Sequence, residues 1–499
     1  MFKRCLALIL CLMLLPMVSL AEADTSKPVV LTFYYLGDEG GPTAAAALDA
    51  LNQKLKEKIN ATLDPIAISY GDMAQKLPVI LGSGEEYDLI YTSNWAYYFS
   101  EGAKGAFMPL DDLMAKYAPT MLEDLTSSGR ARSLRINGKI CMVPVTSPGF
   151  ELHDFIYRDD LRIKYGMAPI ASLDDLEVFM DKVLENENGM LPLNLSVDNF
   201  QLWYNLFYCN NWGGQNGGGI GLTHFILTFD QTTPGEVINV IETPQFEEFA
   251  ERMHRWYQKG YWSKSILSEK TSVRNQFYVG ASAVNLENQW NMNAIYANFK
   301  KEHPDWSIGY YSMNENGNRR MTSPSGDGTA IGAYSKNPER AMMFLNLCYT
   351  DREVYDLLNY GVLGVNYDLT EDGKLKPSQS ALNGADVSID NYAMGIQFAQ
   401  FARSNAEDWD FVTQKQAEWL KKGIVPLMDG FALDQQNVSA EIAAVNNVTT
   451  EYLLPIIFGT VDPATAIPVL KQKLAEAGLQ KIIDEVNAQA KVFQANLTK

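Results

Sequence analysis

The N-terminal part of the chain alternates between two hydrophobic patterns, and this alternation limits the choice of fold more than any other feature. Short runs rich in β-branched and aromatic residues are separated by segments with apolar residues at helical spacing. Strand–helix–strand units of this kind build a parallel sheet that is covered by helices on both faces, so the sequence predicts an α/β fold. The predicted order is strand Val29–Tyr35, helix Thr43–Ile59, strand Ile66–Tyr70, helix Asp72–Leu81 and strand Tyr87–Tyr91.

The length of the chain favours a second unit of the same class. Its 499 residues exceed what a single hydrophobic core usually supports. Gly138–Val145 is predicted to form a strand element that leaves the first unit, and Phe155–Leu161 to begin the second. Ser172 starts a capping motif for the next helix. Asn316-Gly317 and Asp372-Gly373 are predicted to be hairpin tips.

The N-terminus has the pattern of an export signal. Lys3 and Arg4 precede the apolar run Cys5–Leu15, and small residues within Ala21–Ala23 follow at the positions that a signal peptidase reads. An apolar helix of this length spans ~16 Å, about half of a hydrocarbon core. We therefore predict cleavage near Ala23 and a protein that is secreted or held at the extracellular face of the cell membrane.

Charge and motif spacing exclude several classes of function. The net charge of −19 at pH 7 repels phosphate backbones and anionic lipid, so we expect no nucleic-acid partner. Gly213–Gly221 lacks the G-x-G-x-x-G spacing of dinucleotide sites, and the four His show no paired metal spacing. Cys141, Cys209 and Cys348 lie in apolar contexts typical of small buried side chains. We predict no cofactor and no metal.

The segment Ser335–Tyr367 has the most specific residues in the sequence. Pro338 lies near the first turn of a predicted helix, Asp351 begins a second helix, and Gly361 closes it. The segment resembles the one that extracellular solute-binding proteins of sugar-type ABC importers carry after their central hinge strand.

Further motifs extend this resemblance over almost the whole mature chain. The C-terminal stretch Glu441–Gly459, followed by Asp462-Pro463, is similar to the signature of a subfamily of large lipoproteins with a C-terminal domain of formerly unknown function. Four other motifs match the family in the expected order, namely Ser83–Ile90, Gly138–Ile140, Tyr157–Leu161 and Ser282–Asn285.

The resemblance implies a periplasmic-binding-protein-like fold of type II. Such a fold has two α/β lobes, several hinge crossings between them and a ligand cleft where the lobes meet. Because the chain crosses the hinge more than once, each lobe is discontinuous in sequence. We place the first lobe at residues 24–147 and 328–385, and the second, with a C-terminal helical extension, at residues 148–327 and 386–499.

Relatives in this subfamily are commonly lipoproteins, anchored through a Cys at the cleavage site. Here Cys11 follows the bulky Leu10, and Cys5 lies before the apolar run, so neither fits a lipidation site. We therefore favour soluble release, or retention by a means other than a lipid anchor.

Two pairs of residues in the first lobe are candidate ligand contacts, since relatives line their cleft with loops at strand ends. Asp38 and Glu39 follow the first strand, where carboxylates can accept hydrogen bonds from sugar hydroxyls. Asn94 and Trp95 follow the third strand, and an amide beside an indole suits a sugar with a polar rim and an apolar face. The alternatives are solvated turn residues for the first pair and a Trp95 packed against its own helix.

The second lobe and the hinge supply the other candidates. Gln201 and Trp203 lie where relatives often stack an aromatic ring on a sugar, although Trp203 could equally belong to the core among its apolar neighbours. Trp290 follows a predicted strand at the position where relatives place a stacking Trp. Asp327 and Tyr367 lie near predicted hinge crossings.

The resemblance implies the extracellular substrate-binding component of an ABC importer. Such a protein, expected as a monomer, captures a carbohydrate, here an oligosaccharide, by lobe closure and delivers it to membrane permease subunits. A secreted glycoside hydrolase remains an alternative, since Asp38 or Glu39 with Glu287 would be a possible carboxylate pair. Binding of peptide or another non-sugar solute, or a role as a sensor subunit, also remains open. No Arg cluster suited to a carboxylate or phosphate ligand is evident.

Overall fold

Two β-sheets, each covered by helices, dominate the computed structural model. The signal segment 1–23, Gln201 and the predicted tip Asn316-Gly317 lie outside the residues that it describes. The described residues are 24–147, 149–150, 153–196, 202–212, 220, 222, 226–229, 236–269, 273–313, 319–390, 394–421 and 423–497.

Most strands are short, and the longest have eight residues. In chain order they are β1 (Val29–Leu36), β2 (Ala61–Ile68), β3 (Leu89–Thr92), β4 (Arg135–Ile136), β5 (Lys139–Ile140), β6 (Val143–Pro144), β7 (His153–Arg158), β8 (Leu191–Leu193), β9 (Leu227–Thr228), β10 (Ile238–Asn239), β11 (Ser282–Asn288), β12 (Ile308–Tyr311), β13 (Arg319–Arg320), β14 (Gly328–Ile331), β15 (Tyr367–Leu369), β16 (Leu375–Pro377) and β17 (Gly423–Ile424).

The helices occupy the faces of the sheets and the C-terminal region. They are α1 (Ala44–Ile59), α2 (Met73–Gly82), α3 (Tyr98–Gly102), α4 (Asp111–Tyr117), α5 (Pro119–Ser127), α6 (Asp159–Lys164), α7 (Leu173–Asn186), α8 (Asn210–Trp212), α9 (Pro244–Lys259), α10 (Val273–Tyr278), α11 (Gln289–Glu302), α12 (Pro338–Thr350), α13 (Arg352–Tyr360), α14 (Gln379–Leu382), α15 (Asp410–Leu420), α16 (Ser439–Val448), α17 (Leu454–Ile457), α18 (Pro463–Glu476) and α19 (Leu479–Leu497).

Local sequence explains where the first elements begin and end. In α1, Ala47, Leu51 and Leu55 recur every four residues and are buried, so the helix has one apolar face. The helix ends at Asn60, which adopts a left-handed conformation with φ of 49°. The Asp351 side chain caps α13 by accepting hydrogen bonds from two backbone amides of its first turn. The predicted order strand–helix–strand–helix–strand is confirmed.

The first sheet has the strand order β2-β1-β3-β14-β6. β1 runs parallel to β2 over its full length and parallel to β3, while β14 is antiparallel to β3 and β6. The carboxyl ends of β1, β2 and β3 therefore lie at one edge of the sheet, where β14 begins. We call the residues that follow these three strands, with those that immediately precede β14, the carboxyl edge.

The second sheet has the order β12-β7-β11-β8. Its central strand β11 is antiparallel to β7 and parallel to β8. β11 is buried along almost its whole length, as expected of a central strand with helices on both faces. Its carboxyl end leads directly into α11.

Two large hydrophobic cores correspond to the two sheets. The first surrounds β1, β3, α1, α12 and α13, and the second surrounds β7, β11, α7, α9 and the C-terminal helices. This separation gives the two-lobed α/β architecture that the sequence predicts. The predicted lobe limits remain a prediction. Ile396 and Phe398, beyond the limit at residue 385, pack into the first core.

Three chain segments run side by side between the two sheets. They follow β6, precede β14 and follow residue 394, and backbone hydrogen bonds tie them together. Several crossings between two lobes are what a hinge requires. Three backbone hydrogen bonds join these segments: the amide of Val145 donates to the carbonyl of Asp327 (2.9 Å), the amide of Thr322 to the carbonyl of Gly149 (2.8 Å), and the amide of Thr146 to the carbonyl of Gln397 (2.9 Å).

The C-terminal helices pack on the second lobe. The indole of Trp262 donates a hydrogen bond of 3.2 Å to the carbonyl of Phe458, inside the second core. A Cβ added at Gly459 would lie 2.1 Å from the carbonyl oxygen of Met253, so α9 and this turn approach closely because the residue is glycine. Within the described part of the chain, no helix is long and apolar enough to cross a bilayer.

Candidate functional site

The carboxyl edge of the first sheet brings together four loops with polar and aromatic side chains. Asp38 follows β1, Tyr70 follows β2, and Trp95 follows β3. Because Gly328 pairs with Thr92 at the start of β14, the preceding residue Asp327 joins them. Ligands of open α/β sheets bind at this kind of edge.

Asp327 is held by Tyr91, near the carboxyl end of β3. The Tyr91 hydroxyl donates a hydrogen bond of 2.5 Å to its carboxylate. Burial, and then the nearby Asp327 carboxylate, raise the pKa of Tyr91 well above its ordinary value. The phenol therefore stays protonated and remains a donor, which orients the Asp327 carboxylate at the edge.

Trp95 presents its ring at the same edge. Its side chain is 42% exposed, although its indole nitrogen donates a hydrogen bond of 3.0 Å to the carbonyl of Gly326. The backbone amide of Asn94 donates a hydrogen bond of 2.7 Å to the carbonyl of Ser325. The loop after β3 is thus fixed against the segment before β14, while part of the indole stays open to solvent. A fixed, partly exposed ring suits stacking on an apolar sugar face.

Tyr70 belongs to this edge and was not among the residues predicted from the sequence. It is 51% exposed, and its hydroxyl lies 2.9 Å from the sulfur of Met394. Surrounding protein atoms, then the carboxylates of Asp327 and Asp38, raise its pKa. Its phenol therefore lies near both carboxylates. The available signal was an aromatic residue at the carboxyl end of a predicted parallel strand.

The turn after β1 is covered by a later segment of the chain. The Asp390 carboxylate accepts hydrogen bonds from the amide of Gly40 at 2.5 Å and from the hydroxyl of Tyr35 at 3.2 Å. Asp38 and Glu39 are exposed beside this contact. Their exposure leaves both carboxylates available to solvent or ligand.

The second sheet has a comparable edge at the end of β11. The Asn288 side chain caps α11 by accepting a hydrogen bond of 3.0 Å from the backbone amide of Asn291. Glu287 is only 1% exposed, and its carboxylate accepts from the side chain of Asn291 at 2.9 Å. Trp290 lies in the first turn of α11, but its side chain is outside the described residues. Gln201 is also outside them.

Trp203 is a core residue, which corrects its prediction as a ligand contact. Its indole is 0% exposed and stacks on Phe207, with ring centroids 4.4 Å apart. Phe246 and Phe249 of α9 meet it edge to face. No ring face is left for a sugar in this conformation.

Tyr367 packs in a hairpin rather than against the other predicted ligand contacts. It is buried in β15 and packs edge to face against Tyr360, with ring centroids 5.8 Å apart. β15 and β16 pair as a hairpin whose tip contains Asp372-Gly373, as the sequence predicts. The described contacts therefore link Tyr367 to the hairpin and α13 and do not join it to Asp38, Trp95 or the other edge residues.

The described residues offer few groups for covalent or metal chemistry. No group of three or more His, Cys, Asp and Glu among them is arranged to hold a metal ion. Cys141 and Cys348 are free and buried, and burial raises the pKa of both thiols, that of Cys141 to about 11. These thiols stay protonated at neutral pH and are poor nucleophiles.

An open cavity of about 620 Å³ lies elsewhere on the first lobe, between α5 and the segment after Phe398. Arg130, Tyr349 and Phe401 are among its lining residues. It contains none of the predicted ligand contacts. The strand-end geometry, rather than this cavity, therefore defines the candidate site.

Comparison with known proteins gives consistent matches over the chain. The family model described as bacterial extracellular solute-binding protein matches residues 37–354, which is more than half of the chain. The model described as domain of unknown function (DUF3502) matches residues 427–495. A Streptococcus pneumoniae protein named carbohydrate ABC transporter substrate-binding protein is 26% identical over 505 residues, covering 95% of this chain and 93% of the relative.

Solved structures support the same fold. The N-glycan transport solute binding protein (NgtS) from Streptococcus pneumoniae superposes with a TM-score of 0.76 at 23% identity, covering 94% of this chain and 99% of that one. The same protein in complex with Man1GlcNAc gives a TM-score of 0.71 at 23% identity, covering 94% and 100%. At this identity the likeness shows the fold alone.

Proposed function

The chain belongs to the bacterial extracellular solute-binding proteins, and we propose that it is the substrate-binding component of a carbohydrate ABC importer. The family match covers residues 37–354, and the Streptococcus pneumoniae relative is named for this role. The protein captures its ligand outside the cell and delivers it unaltered to membrane permease subunits. The export signal ending near Ala23 fits this location.

The observation that carries the proposal is the pairing of exposed rings with carboxylates at the carboxyl edge. Tyr70 and Trp95 offer apolar ring faces, and Asp38 and Asp327 offer acceptors for hydroxyl groups. Sugars present both kinds of surface. Trp290, at the start of α11, would add a ring from the second lobe.

An oligosaccharide is the ligand class that we propose. The NgtS structure in complex with Man1GlcNAc supports it, because that protein has the same fold and its name describes N-glycan transport. Micromolar affinity corresponds to about −8 kcal/mol. Stacking at roughly 25 cal/mol per Å² of apolar surface, with a few hydrogen bonds of about 1 kcal/mol each, is enough to reach it.

Lobe closure links occupancy to transport. The segments that tie Val145 to Asp327 and Thr146 to Gln397 lie between the two sheets, so bending there changes the distance between the lobes. Asp327 is both a proposed ligand contact and part of a crossing. Ligand bound across the cleft stabilises the closed form, which a monomeric binding protein can present to its transporter.

Binding without catalysis is part of the proposal. A glycosidase needs two carboxylates that face the scissile bond. Glu287, the proposed partner of Asp38 or Glu39, is buried and engaged by Asn291, which disfavours that pairing. Incubation of the purified protein with oligosaccharides, followed by product analysis, tests this point, and multiple-turnover hydrolysis would exclude a pure binding role.

A thermal-shift screen against a glycan library, with a set of peptides tested in parallel, tests the function. We expect at least one oligosaccharide to raise the Tm of the wild type. Tyr70→Ala, Trp95→Ala and Trp290→Ala should each reduce that rise. Tyr334→Ala is the matched control, because Tyr334 is 57% exposed on the same lobe but follows the other end of β14. A rise that is unchanged in all three test variants would mean that the ligand binds elsewhere. A rise with peptides and with no glycan would exclude carbohydrate as the ligand class.

A further inference from the structure

The carboxyl edge of the first sheet carries a concentration of carboxylates. Asp38 and Glu39 are exposed after β1, Asp386 and Asp390 lie on the segment that covers this turn, and Asp327 precedes β14. We propose that this edge makes the site select neutral and cationic saccharides and reject acidic ones. The inference rests on the proposed function and narrows its ligand class.

Part of this acidic surface is fixed in place. Asp390 accepts hydrogen bonds from Gly40 and Tyr35, which hold both of its oxygens. A Cβ at Gly40 would lie 2.5 Å from the carbonyl carbon of Ile389, so the two backbones can approach this closely only at a glycine. The covering segment is therefore locked onto the turn after β1, and its negative charge stays at the edge.

The four carboxylates on the turn after β1 and on its covering segment have no cationic partner among the described residues. Within the described part of the chain, no Lys or Arg forms an ion pair with Asp38, Glu39, Asp386 or Asp390. Lys76 of α2 forms an ion pair of 2.9 Å with Asp72, the residue that directly precedes this helix.

Tyr70 responds to the resulting field. Desolvation raises its pKa, and the carboxylates of Asp327 and Asp38 raise it further because they disfavour a second negative charge nearby. A ligand carboxylate or sulfate in the same place would meet the same repulsion. The Debye length at physiological ionic strength is about 8 Å, so charges within one sugar ring of the edge are only partly screened.

The chemistry favours donors over acceptors on the ligand. Carboxylates accept hydrogen bonds from sugar hydroxyls, and they bind an ammonium group through shorter, charge-assisted bonds. A uronate keeps its hydroxyl donors, but it has no ammonium group, and its own carboxylate adds like-charge repulsion at this edge. Neutral glycans and amino sugars therefore fit, whereas alginate-like or pectin-like chains do not.

One arm of the test uses glycans of matched length. N-acetylated chito-oligosaccharides, their de-N-acetylated amines, neutral mannosyl and glucosyl oligomers, and galacturonate and mannuronate oligomers are compared by thermal shift at low and high salt. We expect the ligands that bind to be neutral or amine glycans, with acidic ones at least tenfold weaker. An acidic oligomer that binds as tightly as the neutral ligands would overturn the proposal.

The second arm needs no bound glycan. The variant Trp95→Cys places a thiol at the carboxyl edge. Its reaction rate is measured with the dianion 5,5′-dithiobis(2-nitrobenzoate) and with neutral 4,4′-dithiodipyridine. The rate of the parent chain with each reagent is subtracted as background. Adding Asp38→Asn should raise the rate with the anionic reagent about twofold or more relative to the rate with the neutral reagent, which corrects for any change in the thiolate fraction. Glu57→Gln is the control, because Glu57 lies in the last turn of α1, toward the opposite edge of the sheet.

The two arms separate the possible failures. An anionic rate that does not respond to Asp38→Asn, or responds equally to Glu57→Gln, would overturn the charge selectivity. If no glycan of any charge binds while the thiol rates behave as expected, the proposed carbohydrate function fails and the acidic field at the edge stands.

Discussion

Ser133 and Asp429 join the two hydrophobic cores through a buried hydrogen bond, in which the Ser133 hydroxyl donates to the Asp429 carboxylate. Ser133 lies in the 3₁₀ helix Arg130–Leu134 of the first core, and Asp429 follows Met428 of the second. At Gly430, where φ is 85°, a Cβ would lie 3.0 Å from the Cα of Ser133. The C-terminal region matched at residues 427–495 thus contacts the first lobe directly beside the hinge.

Loss of this bond is expected to loosen the two lobes. Ser133→Ala should lower the free energy of unfolding by about 1–3 kcal/mol, because the buried Asp429 loses a donor. Urea denaturation followed by tryptophan fluorescence measures the change. Ser127→Ala, at an exposed Ser of α5, is the control and should stay within about 0.5 kcal/mol of wild type. Equal stabilities for the two variants would mean that the bond contributes nothing.

Trp203 and Trp95 are expected to have opposite roles. Trp203→Ala should lower the free energy of unfolding by about 3–5 kcal/mol, because it leaves a cavity between Phe207 and Phe249. Trp95→Ala should change stability by less than about 1 kcal/mol, since its ring is partly exposed, and weaken glycan binding at least tenfold. Denaturation and isothermal titration calorimetry separate these effects. A stable Trp203→Ala with reduced affinity would restore the original prediction.

Glu177 gives a pH dependence with a definite sign. Its hydrogen bonds with Arg255, at 3.1 and 2.9 Å, and further bonds with Lys259 and Trp256 lower its pKa to about 2. A lowered carboxyl pKa contributes stability above the ordinary value near 4, and this contribution is lost as pH falls toward 2.

Comparison with a charge-neutral variant tests this dependence. We expect Glu177→Gln to be less stable than wild type by about 1–3 kcal/mol at pH 7, with the difference shrinking between pH 4.5 and 2. Glu185→Gln, at an exposed ion pair with Lys182, should show little difference at any pH. A difference for Glu177→Gln that stays constant with pH would rule out the ionised carboxylate as its source.

Tyr91 is expected to act on the ligand through Asp327. Tyr91→Phe removes the hydroxyl that donates at 2.5 Å, so the Asp327 carboxylate loses its orientation at the edge. We expect glycan affinity to fall about three- to tenfold, equivalent to roughly 0.7–1.4 kcal/mol. Calorimetric titration measures this. The control Tyr334→Phe, away from the edge, should bind the glycan with wild-type affinity. An unchanged affinity in Tyr91→Phe would mean that the orientation of Asp327 does not contribute to glycan binding.

The regular elements of the first lobe could be predicted because local pattern and tertiary structure agree there. β2 shows where local rules fail. The sequence placed this strand at Ile66–Tyr70, after Pro65, but it spans Ala61–Ile68 and includes the proline. β2 is the edge strand of its sheet, where a proline without an amide hydrogen is tolerated. Consequently Tyr70 lies in the loop and reaches the carboxyl edge.

The site was only partly predictable, because side-chain exposure depends on residues distant in sequence. Trp203 is buried by Phe246 and Phe249 of α9, and no local pattern shows which face of its turn meets that helix. Asp327 was predicted as a ligand contact only from its place near a hinge crossing. Its hydrogen bond with Tyr91 depends on the pairing of β14 with β3, which a single sequence does not specify.

Small-angle X-ray scattering of the mature chain, titrated with a neutral oligosaccharide that raises its Tm, tests ligand capture by lobe closure most directly. We expect the radius of gyration to decrease and to saturate at the same ligand concentration as binding measured by calorimetry. A ligand that binds and saturates while the radius of gyration stays constant would contradict closure of two lobes around the sugar.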